Sequence, residues 1–161
     1  MSSRVSIDFE VDGVRRSEEI APNTVLLDLL RDRHALTGVK ASCERGVCGA
    51  CTILVDGTPA ASCGVFAFSV DGAAVETIDG QGREGGLGPV QRAFAECGGF
   101  QCGYCTPGMV MLTTALLRAH PEPDDERIRS WISSNVCRCT GYQMIVDSVR
   151  RAAELSREEQ P

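Results

Sequence analysis

The feature that most constrains this chain of 161 residues is its set of nine cysteines, eight of which fall into two groups of four. The first quartet is Cys43, Cys48, Cys51 and Cys63, and the second quartet is Cys102, Cys105, Cys137 and Cys139. An odd number of cysteines does not favour a disulfide framework. The spacing inside each quartet is instead typical of metal ligation. We therefore expect the chain to fold around two metal centres.

The first quartet has the pattern C-x4-C-x2-C followed by a distant cysteine, which is the plant-type arrangement for a [2Fe–2S] cluster. Gly46 and Gly49 allow the loop to wrap tightly, and their N–H groups can donate to sulfur. Only eleven residues separate Cys51 from Cys63, fewer than we expect in a free plant-type ferredoxin. Structural zinc is the alternative, but this quartet contains one C-x2-C knuckle where zinc ribbons use two.

The second quartet combines C-x2-C with C-x-C, and each pair precedes a predicted helix. Thr106 is predicted to be an N-cap and Pro107 the first helical residue. The partial positive charge of a helix N-terminus suits an anionic cluster. Zinc and a thioredoxin-like redox pair are alternatives, although the redox pair requires a βαβ context. Cys97 is predicted to have no ligand role.

The first half of the sequence predicts a small β-grasp-like α+β domain over residues 1–80. Apolar residues alternate along residues 5–11, and Asp12-Gly13 is a hairpin signal. The remaining predicted elements are a strand ending at Ile20, a short helix capped by Asn23 or Thr24, and strands at Thr52–Val55 and Val75–Ile78.

The second half, residues 81–161, has a helical pattern after a glycine-rich linker at Gly80–Pro89. The predicted helices are Pro89–Glu96, Pro107–Ala119, Asp125–Ser134 and Tyr142–Leu155. Within the linker, Gly80, Gly82 and Gly85 match a dinucleotide-binding fingerprint. No second parallel strand is predicted after it, so we interpret the match as part of the linker.

The charge and the apolar pattern exclude several classes of function. The net charge of −6 disfavours nucleic-acid binding, which needs basic patches. We find no secretory signal and no run of about 18 apolar residues that would span a membrane. These features predict a cytoplasmic protein. The two histidines lack partners for a triad, so we expect no substrate chemistry on this chain.

Three motifs in order give the chain its resemblance to a known family. They are residues 43–51, Gln101-Cys102-Gly103-Tyr104-Cys105-Thr106-Pro107-Gly108-Met109, and Cys137-Arg138-Cys139-Thr140-Gly141-Tyr142. The sequence resembles the small iron–sulfur subunit of molybdenum hydroxylases, a family that includes xanthine dehydrogenases, aldehyde oxidoreductases and carbon monoxide dehydrogenases. The likeness covers about residues 5–155. In that family the fourth ligand of the first cluster also follows at a short distance.

The resemblance implies a fold, cofactors and partners. It implies a ferredoxin-like domain followed by a four-helix bundle, each holding one [2Fe–2S] cluster. A large subunit would bind molybdenum–molybdopterin and a medium subunit FAD, as a heterotrimer or a pair of heterotrimers. Electrons would pass from molybdenum to the second quartet, then to the first, then to flavin. Gln101 and Cys139 would contact the pterin. A free two-cluster electron carrier and a structural zinc module remain the alternatives.

Overall fold

A computed structural model describes residues 4–82 and 86–159 of the chain. Its strands are β1 (Val5–Val11), β2 (Val14–Ile20), β3 (Thr52–Val55), β4 (Thr58–Ala61) and β5 (Ala74–Glu76). Its helices are α1 (Leu26–Asp28), α2 (Pro89–Glu96), α3 (Thr106–Ala119), α4 (Asp125–Ile132) and α5 (Gln143–Glu158). A π-helical turn at Leu29–Arg33 continues α1, and short 3₁₀ turns occupy Ser62–Gly64, Ala67–Val70 and Ile78–Gly80. The predicted α+β class is confirmed.

The five strands form one mixed sheet in the order β2-β1-β5-β3-β4. Strand β1 pairs antiparallel with β2, from Val5 opposite Ile20 to Val11 opposite Val14. The turn between them has positive φ at both central residues, 50° at Asp12 and 76° at Gly13. This backbone matches the twist of a two-residue hairpin, so the predicted Asp-Gly hairpin is confirmed. Strand β5 runs parallel to β1 and antiparallel to β3.

One face of the sheet packs against α1 and the turn after it. Leu26 and Leu30 are fully buried there with Ile7 and Phe9. The prediction that Asn23 or Thr24 caps this helix is wrong. The residue before the helix is Val25, which forms an isolated bridge with Phe66 and makes no side-chain cap. Tertiary pairing therefore replaces the local cap at this helix start.

The second half is a group of four helices around an apolar core. Phe94 of α2, Met109 of α3 and Ile145 of α5 are buried at its centre. Helix α3 is apolar on nearly all sides and is buried along most of its length. The four predicted helices are confirmed, with small differences at their ends. The last one begins at Gln143 and runs to Glu158.

The two halves meet where α3 lies against the other face of the sheet. Leu54 of β3 packs on Met111 and Ala115 of α3, and all three are buried. Strand β3 is therefore covered on both faces, since its neighbour Ile53 belongs to the core under α1. This explains why the sequence Thr-Ile-Leu-Val has no polar alternation.

The linker between the halves is only partly described, because residues 83–85 lie outside the described residues. These three residues include Gly85 of the fingerprint match. Residues 1–3 and 160–161 at the ends of the chain also lie outside the described residues. Strand β5 ends at Glu76, and in the ranges 4–82 and 86–159 only helices and turns follow it. The interpretation of this match as linker is consistent with that order. Within the same ranges, no helix is long and apolar enough to cross a membrane.

Candidate iron–sulfur sites

The first quartet is assembled by the β3–β4 hairpin. Cys51 immediately precedes β3, and Cys63 lies in the 3₁₀ turn that follows β4. The turn at Asp56-Gly57 reverses the chain with φ of 48° and 77°, so that both ends of the hairpin lie together. The Ser62 N–H and hydroxyl both donate to the Cys51 carbonyl, at 3.3 Å and 2.9 Å. The hairpin thus explains the short distance in sequence between Cys51 and Cys63.

Backbone N–H groups of the loop before β3 point at the sulfurs. The Gly46 N–H donates to Cys63 Sγ at 3.1 Å, and the Cys48 N–H donates to Cys43 Sγ at 3.3 Å. Gly46 and Gly49 both have left-handed backbone angles, with φ of 72° and 70°. The predicted donation from Gly46 is therefore present. Gly49 acts through its carbonyl, which accepts from the Thr52 N–H and hydroxyl at 3.1 Å and 2.7 Å.

Within the first quartet, the pKa values of Cys43 and Cys63 are shifted in opposite directions. Backbone N–H groups of Arg45 and Cys48 lower the pKa of Cys43 to about 6. Burial raises the pKa of Cys63 to about 11, and the neighbouring thiols of Cys51 and Cys43 add to this rise. Cys43 is also hydrogen-bonded to Cys48, and Cys63 to Cys51. The four sulfurs therefore approach one another as two pairs.

The second quartet joins the start of α3 to the loop between α4 and α5. Cys105 is the residue immediately before α3, and Cys102 lies three residues earlier on the surface. Cys139 Sγ lies 3.6 Å from Cys102 Sγ. Burial raises the pKa of Cys105 to about 12, and its hydrogen bond to Cys137 contributes to this rise. The second quartet therefore also forms two pairs, one exposed and one turned inward.

Cys137 is surrounded by hydrogen-bond donors. The Thr140 hydroxyl donates to Cys137 Sγ at 3.1 Å. Burial acts to raise the pKa of Cys137, but the Thr140 hydroxyl and the N–H groups of residues 139 and 140 outweigh it, so the pKa is lowered. Donors of this kind stabilise a sulfur that carries negative charge. They suit Cys137 to bind a cation as a thiolate.

Two local predictions about this site are wrong. Thr106 is not an N-cap, because α3 starts one residue earlier and the Cys105 carbonyl accepts from the Met109 N–H at 3.0 Å. Thr106 is the first helical residue, Pro107 the second, and the Thr106 hydroxyl is buried without a hydrogen-bond partner among the described residues.

Helix α5 begins at Gln143, preceded by Tyr142 with φ of 71°. The Cys137–Cys139 pair thus lies in the preceding loop.

The arrangement of sulfurs fits an iron–sulfur cluster. All nine cysteines are free thiols. Across the part of the chain that the structure describes, no three cysteine, histidine or acidic side chains are arranged to hold one metal ion. The quartets instead bring their sulfurs together two by two. Four thiolates shared between two irons satisfy this pairing and would neutralise the repulsion between the sulfurs.

The other predicted site residues have clear positions. Gln101 is exposed and precedes Cys102 on the same surface as Cys139. Cys97 ends helix α2, where burial and the charge of Glu96 raise its pKa. Its other charged neighbours belong to α5, and the structure does not bring it into either quartet.

Sequence reasoning missed the residues that connect the two quartets. Asn135 and Thr52 are both buried and lie beside cysteine loops that are far apart in sequence. Tyr104, between two cysteines of the second quartet, donates its hydroxyl to the Ala41 carbonyl near the first. Spacing rules identify ligands, but they carry no signal for contacts of this kind. The sequence shows only that Asn135 stands two residues before Cys137.

Comparison with known proteins reveals two matching family descriptions. Residues 9–81 match a "2Fe-2S iron-sulfur cluster binding domain", and residues 77–150 match a "[2Fe-2S] binding domain". The small subunit of nicotine 6-hydroxylase from Paenarthrobacter nicotinovorans is 47% identical, over 92% of this chain and 89% of that protein. The xanthine dehydrogenase iron-sulfur-binding subunit of Escherichia coli O157:H7 is 44% identical, over 92% and 94% of the two chains.

The chain belongs to the family of small iron–sulfur subunits of molybdenum hydroxylases. Solved structures agree with this family and with the predicted fold. A chain of quinoline 2-oxidoreductase from Pseudomonas putida 86 superposes with a TM-score of 0.92 at 37% identity, over 99% of this chain and 100% of that one. Aldehyde oxidoreductase from Desulfovibrio gigas gives a TM-score of 0.92 at 38% identity. That match spans 98% of this small subunit and 18% of the longer enzyme.

Proposed function

We propose that this chain is the electron-transfer subunit of a molybdenum hydroxylase and holds two [2Fe–2S] clusters. It would relay electrons one at a time from a molybdenum–pterin subunit to a FAD subunit, in a complex that oxidises a small molecule with water as the oxygen source. The observation that carries this proposal is the pairing of sulfurs in both quartets. Eight thiols in four close pairs match the ligand demand of two diiron clusters.

The ligand assignment follows from the two quartets. Cys43, Cys48, Cys51 and Cys63 would hold the first cluster, and Cys102, Cys105, Cys137 and Cys139 the second. When bound, each cluster supplies a site that accepts and releases one electron. The chain itself would bind and tune these sites. Its N–H donors, such as that of Gly46 to Cys63 Sγ, favour added negative charge on sulfur and so influence the reduction potential.

The exposed edge of the second quartet supports its position next to the molybdenum subunit. Cys102 and Cys139 are exposed, whereas Cys137 is buried. Gln101 lies beside Cys102, and we propose that Gln101 and Cys139 contact the molybdopterin held by the large subunit. The medium FAD subunit would dock on the side of the first quartet. We further propose a heterotrimer located in the cytoplasm, with the chain divided into domains at residues 1–80 and 81–161.

Metal analysis of the anaerobically purified chain tests the cluster content. We expect about four irons and about four acid-labile sulfides per chain, and two distinguishable EPR signals after reduction. Zinc in place of iron would instead identify a structural zinc module. Co-expression with the neighbouring large and medium subunits then separates a subunit from a free carrier. Elution of the brown chain alone, without molybdenum or flavin partners, would contradict the subunit assignment.

Paired cysteine variants test the ligand set. Cys105→Ser should remove the second cluster, lowering iron to about half while one EPR signal remains, because the cluster would lose one of its four proposed thiolate ligands. Cys97→Ser is the matched control, since Cys97 lies outside both quartets, and it should retain full iron and both signals. Iron loss in Cys97→Ser, or full iron with both signals in Cys105→Ser, would show that the assignment is wrong.

A further inference from the structure

The loops of the two quartets touch at Gly49, which is buried and follows Cys48. A Cβ atom added at Gly49 would lie 1.7 Å from Oδ1 of Asn135. A Cβ atom added at Gly108 would lie 2.1 Å from the Gly49 carbonyl oxygen. Asn135 lies two residues before Cys137, and Gly108 lies three residues after Cys105. Residues next to both cysteine pairs of the second quartet therefore contact Gly49 in the loop of the first quartet.

A backbone hydrogen bond crosses this contact. The Val136 N–H donates to the Cys48 carbonyl at 2.8 Å. Cys48 is a proposed ligand of the first cluster, and Val136 directly precedes Cys137, a proposed ligand of the second. One hydrogen bond and one intervening residue thus connect a ligand of each quartet. The described residues also show a link from Tyr104 to Ala41 and one from Asn135 to Thr52. Each of these ends farther along the chain from a proposed ligand, at one end or at both.

The Asn135 side chain holds this hydrogen bond in place. Its amide is 3% exposed, and its Nδ2 donates to Thr52 Oγ1 at 3.3 Å. The Thr52 hydroxyl in turn donates to the Gly49 carbonyl at 2.7 Å. A buried polar chain of this kind is costly unless every group is satisfied, so it fixes one geometry. The amide therefore ties residue 135 to the loop of the first quartet.

The main chain of Asn135 is tied to the second quartet. The Tyr142 hydroxyl donates to the Asn135 carbonyl at 3.2 Å and accepts from the Cys137 N–H at 2.9 Å. Residues 135–137 are thus anchored on one side by Tyr142 and on the other side by Thr52 and Cys48. Loss of the Asn135 amide would remove the link to Thr52 and leave the anchor to Tyr142 in place.

We propose that Asn135 is a positioning residue that sets the separation of the two cluster sites. The inference rests on the proposed function. With both clusters bound, passage of one electron between them would oxidise the site of the second quartet and reduce the site of the first. No covalent bond forms or breaks, and no proton needs to move. Asn135 acts by holding the two loops together.

The test measures communication between the clusters in the full chain. In Asn135→Leu, which has similar size but no amide, we expect both EPR signals and full iron. The magnetic splitting between the two reduced clusters should decrease. Electron equilibration between them after flash reduction should slow severalfold. Asn23→Ala is the control, because Asn23 is the other asparagine and is exposed, and it should match the wild type in every measurement.

A second pair of variants tests the positioning role even if Asn135→Leu loses iron. Thr52→Val removes the hydroxyl that links Asn135 to Gly49, and Thr52→Ser retains it. We expect weaker splitting and slower equilibration in Thr52→Val and recovery in Thr52→Ser. Wild-type splitting and rate in iron-replete Asn135→Leu or Thr52→Val would overturn the positioning role. Absence of two clusters in the wild type would instead overturn the proposed function itself.

Discussion

At the scale of single residues, Gly46 and Gly49 share a backbone conformation but differ in surroundings. Gly46 is exposed, and a Cβ atom there would meet nothing within 4 Å. Gly49 is buried under Asn135, where a Cβ atom would overlap the amide. The sequence predicted both glycines as necessary for a tight loop. It could not separate them, because the second requirement comes from a residue more than eighty positions away.

The two glycines therefore make a matched pair of substitutions. Gly46→Ala should lower the free energy of unfolding by about 1 kcal/mol, the cost of left-handed backbone for an L-residue. Gly49→Ala should cost about 1–3 kcal/mol more, because the Asn135 side chain must move in a packed site. Urea unfolding of the iron-replete variants measures the difference. Equal losses would show that the contact with Asn135 is not constraining.

At the scale of elements, sequence patterns predicted the helices and most of the strands. The Asp12-Gly13 turn was identified, yet β4 was not predicted as a strand, since Thr58-Pro59-Ala60-Ala61 has weak strand propensity. Its pairing with β3 places Cys63 beside Cys51, which the spacing alone left unexplained. Helix ends were less accurate, because tertiary contacts such as the bridge at Val25 decide where α1 begins.

Strand β5 and helix α3 are joined by an ion pair whose contribution depends on pH. Arg118 makes two hydrogen bonds to Glu76, at 2.6 Å and 2.8 Å, and these lower the Glu76 pKa below its ordinary value of 4.5. The pair is partly exposed, so Glu76→Gln should cost less than about 1 kcal/mol at pH 7. Because the folded pKa is the lower one, this contribution is complete above 4.5 and is lost as the pH falls below it.

Urea unfolding of Glu76→Gln and wild type at a series of pH values measures this difference. The matched control is Glu122→Gln, which removes the partner of Arg157 in a more exposed pair within the helical half. We expect the control to have a smaller effect at pH 7. A difference between Glu76→Gln and wild type that grows as the solution is acidified would contradict the sign argued above.

At the scale of the whole molecule, α3 belongs to two cores at once. Met109 and Leu116 face the helical core, whereas Met111 and Ala115 face the sheet. The change in composition near residue 80 predicted two domains, and the proposed boundary lies in the linker. The sequence could not show how tightly the halves are joined, since an apolar helix gives no sign of which neighbours cover each side.

This double role predicts cooperative unfolding. Met111→Ala should lower the free energy of unfolding by about 2–5 kcal/mol, because Met111 is fully buried between the sheet and the helices. We expect a single thermal transition in the wild type and two in Met111→Ala, because the halves lose part of their contact. Calorimetry of the iron-replete chain tests both effects. Two resolved transitions already present in the wild type would show that the halves are not coupled.

The exposed pair formed by Cys102 and Cys139 has a consequence for biosynthesis. While the chain is unassembled, these two exposed sulfurs are open to oxygen and chelators. In the proposed complex the large subunit would cover this pair, so we expect metal insertion to come first and assembly to protect the cluster afterwards. When this chain is produced in excess over its partner subunits and exposed to air, the cluster of the second quartet should therefore lose its colour before that of the first.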